Sequence, residues 1–459
     1  MLQSLLSLFG SADHATETIS ETAQHVTNVP TLGLAAYLGL GLFVLCYTMI
    51  ALEHKSKIDK SGMALLAGTG LWVIIAAFAK DRSGLNADIL HESQEIFSIV
   101  VFLLAAMTIV ETLVHYGLFD WVEQKISEKK LSSERLFWIL GILTFLLSAV
   151  LDNLTTTLIM IQVGRKIYAH KQAFLIFVAS TIIAANAGGA FSPLGDVTTI
   201  ILWLAGKFSA TEIIKDGLLP ALAIFAIPHY MLSRKIRTHE EAEKAHSVTA
   251  SERVHPNWPV ISIGLGAFVL PVLANLIGLP PFMGLLAGLA ILWIASDFSN
   301  RDKGHHESEA KIINLIQKTD IATLKFFIGI LLAVGALGHL GVLEKLNSIL
   351  FNGSTSLATV VSASTVLGVM SSILDNVPLV AAAINVFPAH VLPAEWVLLA
   401  LTAGTGGSLL VVGSAAGVAA MGQVPELTFV KYLKLASIPA LFGFIAGIIV
   451  WLIQFNILY

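Results

Sequence analysis

The sequence predicts an all-α polytopic membrane protein: two inverted-topology repeats, about ten full crossings plus two re-entrant hairpins, with broken helices among the crossings. Three observations predict it. Of 459 residues, 56% are hydrophobic and 13% charged, and the mean hydropathy is +0.80, far more apolar than a soluble domain. The apolar sequence divides into windows of membrane length. The tripeptide Leu-Asp-Asn also occurs twice inside apolar stretches, at Leu151-Asp152-Asn153 and Leu374-Asp375-Asn376, at an offset of 223 (375 − 152). A carboxylate is costly there and marks a functional position.

Residues 1–30 lack the positive n-region of a secretory signal and read as a polar N-terminal arm. A crossing needs ~20 apolar residues. Windows of that length lie at 31–52, 61–79, 96–117, 172–205, 218–232, 258–277, 281–297, 321–343, 396–421 and 436–456. Two further apolar segments, 135–163 and 357–390, hold the Leu-Asp-Asn motifs. The first is entered at Arg135, after Lys129 and Lys130, and left at Arg165 and Lys166, so both ends carry cytoplasmic-type charge. The stretch 135–163 is too short for two crossings. A re-entrant hairpin with Asp152-Asn153 near its tip satisfies both facts, because unwound backbone is tolerated where protein or water surrounds it.

Orientation follows from the basic residues. With residue 1 outside, the cytoplasmic loops hold three Lys/Arg at 53–60, four at 118–135, three at 164–171, five at 233–257, four at 298–320 and two at 421–435, which is 21 of 27. This bias puts both termini on the periplasmic side. The first repeat spans 31–232, a cytoplasmic linker 233–257, and the second repeat 258–459. Five crossings plus a hairpin is an odd number, so the second repeat is inverted. Phe102 to Val122 aligns with Phe326 to Leu346 at an offset of 224 (326 − 102), superposing His115 on His339 and Gly117 on Gly341. Gly188, Gly189 and Gly195 superpose on Gly406, Gly407 and Gly413 at 218 (406 − 188). Inverted repeats with broken helices are the construction of secondary transporters, with the site near mid-membrane. The single cysteine, Cys46, excludes an intrachain disulfide, and the net charge of −4, spread over loops, gives no basic patch for nucleic acid.

The breaks are located by glycine and proline, which free or interrupt the backbone. Asn186-Ala187-Gly188-Gly189 through Pro193-Leu194-Gly195-Asp196-Val197-Thr198-Thr199 interrupts the 172–205 crossing, and Gly404-Thr405-Gly406-Gly407-Ser408 through Gly413-Ser414 interrupts the 396–421 crossing. Converging there, Asp152, Asp196 and Asp375 would supply charge, Asn153, Asn186 and Asn376 amide oxygens, and Thr155, Thr198, Thr199, Ser408 and Ser414 hydroxyls, a donor set for a hard cation. Each Asp-Asn also suits a plain helix N-cap, and the glycine pairs suit close helix packing. Glu111 and His115, at i and i+4, read as a local pair. His339 reads as structural, because Gly335 stands where the first repeat has Glu111. The charged loop from His239 to Arg253 and His305-His306 read as solvated connectors.

The paired Leu-Asp-Asn hairpins, the Ser-Pro-Leu-Gly-Asp-Val-Thr-Thr run and the Gly-Thr-Gly-Gly-Ser segment resemble the NhaD-type sodium/proton antiporters of the ion transporter superfamily, over residues 31 to 459. The resemblance implies exchange of cytoplasmic Na+ or Li+ for external H+ across a bacterial inner membrane, a homodimer, no cofactor and no enzymatic activity. Relatives that import dicarboxylates or citrate carry Ser-Asn-Thr at the hairpin tips. Here the tips read Asp152-Asn153-Leu154-Thr155 and Asp375-Asn376-Val377-Pro378. Proton and Na+ would exclude one another at the same carboxylate oxygens, with Asp152 and Asp196 as principal ligands and Asp375 as a third ligand or proton carrier. Two alternatives stand beside this reading. One is a cation-coupled transporter of a dicarboxylate or arsenite, which three acidic groups would oppose. The other is an intramembrane aspartyl protease, which has no evident need of inverted halves.

Overall fold

A computed structural model describes residues 33–51, 53–127, 131–168, 170–240, 255–299, 315–316, 319–351 and 354–459. The expected polar arm 1–30, most of the 233–257 linker and the His305-His306 pair lie outside them. Among the described residues there is no strand, and seven helices are long and apolar enough to cross a membrane. In chain order the helices of seven residues or more are α1 (Leu34–Ala51), α2 (Lys60–Phe78), α3 (Leu85–His115), α4 (Leu118–Ser127), α5 (Ser133–Ser148), α6 (Asn153–Ile167), α7 (Lys171–Gly189), α8 (Val197–Leu204) and α9 (Ala210–Glu240). They continue as α10 (Trp258–Ala267), α11 (Leu270–Leu276), α12 (Pro281–Ser299), α13 (Ile321–His339), α14 (Val342–Phe351), α15 (Leu357–Met370), α16 (Asn376–Val386), α17 (Pro393–Gly406), α18 (Ala415–Gln423) and α19 (Ile438–Leu458).

Polar contacts define two ends of the bundle. At one end Lys166 meets Glu123 at 2.6 Å, Ser61 Oγ donates to the Ala322 carbonyl at 2.8 Å, and Asn257 Nδ2 donates to Ser299 Oγ at 2.6 Å. At the other end Lys207 lies over the Trp396 ring at 5.0 Å and Tyr459 donates to Asp216 at 2.9 Å. The α5–α6 pair begins and finishes at the first end, as a re-entrant hairpin must. The α15–α16 pair does so at the second: α14 leads into it, and Asn347 of α14 donates to the Val386 carbonyl where it finishes.

The duplication is written in equivalent contacts. Ser148 Oγ donates to the Ala185 carbonyl at 2.6 Å, and Ser371 Oγ to the Ala403 carbonyl at 2.6 Å. These pairs keep the sequence offsets of 223 (371 − 148) and 218 (403 − 185). A Cβ on Gly188 would collide with the Phe145 carbonyl, and one on Gly406 with the Gly368 carbonyl. Gly195 and Gly413 stand equally tight against the Ser148 and Ser371 carbonyls. Each glycine therefore lets a broken helix touch the backbone of its own repeat's hairpin. Gly117 and Gly341 have φ of 82° and 74°, a region open to glycine at little cost, and each turns the chain from a long helix into a ten-residue helix, α4 or α14, that is apolar on one face.

The helices depart from the apolar windows where something other than apolarity decides. α3 begins eleven residues before the window at 96 (96 − 85), running on through the mostly polar stretch 86–95, which an apolar window does not register. At 31 residues it is about 46 Å long and overshoots a ~30 Å hydrocarbon core. The 218–232 window is the middle of α9, also 31 residues, which carries Pro220 and Pro228. The 258–277 window is split between α10 and α11 ahead of Pro271. Pro439, in the first turn of α19, has no N–H to offer the Leu435 carbonyl; the preceding segment Leu433–Ser437 widens to a π-helix and Lys235 Nζ donates to that carbonyl at 2.9 Å.

Candidate functional site

Four chain breaks meet in the interior: the two hairpin tips and the gaps between α7 and α8 and between α17 and α18. Each break ends in an N-cap that satisfies a helix's unpaired amides. Asp152 accepts from Thr155 N–H at 2.8 Å, Asp196 from Thr198 N–H at 2.9 Å, Asp375 from Val377 N–H at 3.0 Å, and Ser414 from Gly417 N–H at 3.0 Å. Asp152 caps from φ 68°, ψ 154°, a conformation nearly confined to glycine. Such strain costs on the order of 1–3 kcal/mol and collects at functional positions.

Asp196 is the hub. It is 1% exposed, and every hydrogen bond its carboxylate accepts comes from a neutral group. Asn153 Nδ2, from the first hairpin tip, donates to Oδ2 at 2.6 Å, and the Thr198 hydroxyl to Oδ1 at 2.9 Å. Asn376 Nδ2, from the second tip, lies 3.4 Å from both oxygens. The same Asn153 amide reaches Asn186 Oδ1 at 3.1 Å, and Asn186 Nδ2 donates to Ser408 Oγ at 2.8 Å in the other repeat's break. Thr199 Oγ1 donates to the Asp196 carbonyl at 2.8 Å. One carboxylate, three amides and three hydroxyls from both repeats thus form one buried network.

The remaining candidates stand at its edge. Asp152 and Asp375 turn their carboxylates to their own capping amides, Thr155 belongs to the Asp152 cap, and Ser414 caps α18 as the counterpart of Asp196, again at an offset of 218 (414 − 196). Among the described residues no three of His, Cys, Asp and Glu are grouped to hold a metal ion. In this conformation the three aspartates are therefore not drawn together as a joint ligand set, and of the three capping carboxylates only Asp196 also receives the side-chain amides of both hairpin tips. Gly188, Gly189, Gly195, Gly406, Gly407 and Gly413 stand at backbone contacts, which makes them packing residues that bring the breaks together.

Several contributors escaped the sequence reading. Gly404, read only as part of the second break, backs the hub: a Cβ there would sit 3.6 Å from Asp196 Oδ2. Tyr432 donates to the Ser408 carbonyl at 2.7 Å, and Tyr47 accepts from Asp375 N–H at 2.8 Å. His229, 1% exposed, is held by Ser180 Oγ at 2.7 Å and donates through Nε2 to the Phe137 carbonyl at 3.1 Å, its ring filling the space at Gly141 and bracing the first hairpin. An isolated polar side chain in an apolar helix is the signal that Tyr47 and His229 offered. His339, read as structural, lies 3.9 Å from Asp88, and the Glu92 carboxylate occupies the space beside Gly335.

A family model described as Citrate transporter (CitMHS) matches residues 26–404. Sodium/proton antiporter 1 of Arabidopsis thaliana is 37% identical over 421 residues, 91% of this chain and 72% of that protein. The Na(+)/H(+) antiporter NhaD of Alkalimonas amylolytica is 33% identical, covering 92% of this chain and 91% of its own length. Among solved structures, the Alcanivorax borkumensis YdaH transporter, whose topology is described as unusual, covers 93% of this chain and 99% of its own with a TM-score of 0.53 at 13% identity, which speaks for the fold alone. With relatives at 37% and 33% identity along nearly its whole length, this multi-pass membrane protein belongs to the NhaD-type antiporters of the citrate-transporter family.

Proposed function

We propose that the chain is a secondary-active antiporter that exports Na+ or Li+ in exchange for H+ by alternating access, cation and proton competing for Asp196. The observation that carries this is the hub: a fully buried carboxylate held only by neutral amide and hydroxyl groups. A bare carboxylate is costly at that depth, so either a cation or a proton neutralises it. Asn153 and Asn376 turn Nδ2 toward Asp196 here. Half a turn of each amide about its last side-chain bond presents Oδ1 instead, converting donors that satisfy the carboxylate into oxygens that ligate a cation. Asp152 and Asp375, one on each hairpin tip, add negative charge on either side of the hub. The reading places the protein in a bacterial inner membrane as a dimer, with repeats 31–232 and 258–459 and the basic loops in the cytoplasm.

The family description favours a second reading, anion transport. The acidic hub opposes it, since two carboxylates near a third disfavour a bound anion. Purified protein in liposomes decides between them. Na+ or Li+ added against an imposed pH gradient should move protons, while citrate or succinate should not. Anion uptake without cation-driven proton movement would overturn the antiporter reading.

A further inference from the structure

Between α3 and α13 on one side and α8 and α16 on the other lies a cavity of about 390 Å³, opening at the bundle end opposite the basic loops. At ~30 Å³ per water it holds roughly a dozen waters. Its floor is Ile201 and Ala381, its wall Gly335, and its mouth Glu92 and Glu95. Ile201 is five residues beyond Asp196, and Ala381 five beyond Asn376 (201 − 196 and 381 − 376). At 1.5 Å per residue each is about 7.5 Å along its helix from the hub. The cavity thus reaches down the two short helices whose first residues build the ion site. Toward the other end the second hairpin's tip is tied to α1, where Asp375 N–H donates to the Tyr47 hydroxyl at 2.8 Å, near the α1 terminus at Ala51, and a separate cavity of about 480 Å³ lies among Arg165, Lys171, Gln423 and Glu426.

We propose that this cavity is the periplasmic vestibule through which the cation leaves and the proton enters the Asp196 site, that Glu92 at its mouth raises local cation concentration, and that the Tyr47 hydroxyl clasps the cytoplasmic route closed. The inference rests on the exchange reading for its cargo and on the cavity for its path. Alternating access then requires the Tyr47 clasp to open as the vestibule closes. Gly335 leaves the room that the Glu92 side chain needs, since a Cβ there would collide with that carboxylate.

The test uses full-length protein with Cys46→Ala, oriented in liposomes. Ser98→Cys, on the vestibule wall, should react with an impermeant thiol reagent from the periplasmic face and not from the cytoplasmic face. Glu92→Gln should raise the apparent Na+ constant on the periplasmic side about threefold through lost electrostatic focusing and leave the cytoplasmic constant alone. Glu92→Asp, which keeps the charge, should match the parent. Tyr47→Phe should lower the cytoplasmic Na+ constant about fivefold, because one lost hydrogen bond raises the population open to that side. An unreactive Ser98→Cys, or Glu92→Gln and Tyr47→Phe each shifting both sides alike, overturns the vestibule. Failure of the parent to exchange Na+ for H+ removes the cargo reading instead, and thiol labelling, which needs no transport, still decides the path.

Discussion

Asp196 receives its hydrogen bonds from the two side chains that the repeats place symmetrically, Asn153 and Asn376, and from its own Thr198. Replacing it by Asn keeps the cap on α8 but removes the charge and sets an amide donor against Asn153 Nδ2, so Asp196→Asn should abolish Na+-driven proton movement in liposomes and lower the melting temperature by no more than one unpaired buried group, about 1–3 kcal/mol, accounts for. Asn153→Ala strips a donor from both Asp196 and Asn186, and leaving buried groups unpaired costs about 1–3 kcal/mol. It should therefore lower thermal stability and raise the apparent Na+ constant together. Asp152→Asn and Asp375→Asn divide cap from ligand: loss of exchange with an intact fold assigns the charge to transport, and retained exchange assigns the residue to capping. The carboxylates and amides were legible because each is conspicuous in apolar sequence. Their geometry was not. Whether a capping carboxylate also meets the other breaks, as Asp196 does, depends on backbone angles and packing, such as the positive φ of Asp152, that composition does not encode.

At the scale of elements, the breaks depend on helix and hairpin backbones in direct contact. Alanine at Gly406 puts a methyl against the Gly368 carbonyl, and overpacking of this kind costs about 1–3 kcal/mol. Gly422→Ala, where a Cβ meets nothing within 4 Å, is the control. The first should lower the melting temperature in detergent, and the second should not. Gly341→Ala tests the turn between α13 and α14, where the left-handed conformation costs a non-glycine residue about 1–2 kcal/mol, and a melting temperature equal to the parent's would show that the turn relaxes. The hairpins and broken helices were legible almost to their ends, because Gly, Pro and Asp-Asn punctuate them. The outer end of α3 was hidden, since a helix that leaves the membrane is no longer marked by apolarity and is only weakly marked by propensity. The alignment of Phe102 to Val122 with Phe326 to Leu346 reached only the first half of the amphipathic α4 and α14, and ten residues are too few to announce a crossing.

For the whole molecule, two short hairpins entering from opposite ends make the topology testable without any transport. Cysteines at Glu134 and Arg165, in Cys46→Ala protein, should both react with an impermeant reagent from the cytoplasmic side, and labelling from opposite sides would remove the first hairpin. The inverted relation was legible from three nearly equal offsets, whereas the convergence of four breaks on one carboxylate required the packing itself. That convergence is symmetric in its frame and asymmetric in its donors. Asp152 answers Asp375, Asn153 answers Asn376, Ser148 answers Ser371, and the glycines answer one another, yet Asp196 is answered by Ser414. The molecule reads as a palindrome with several letters changed: Asn186 faces Gly404, Ala190 faces Ser408, Thr198 faces Ala416, and the change from Asp196 to Ser414 removes the charge. If the halves trade conformations during transport, the trade does not restore the starting chemistry, so the two facing states have unequal energies and the ion is held with unequal strength from the two sides. Ser414→Asp would give both breaks a carboxylate, and the difference between the two Na+ constants should then shrink.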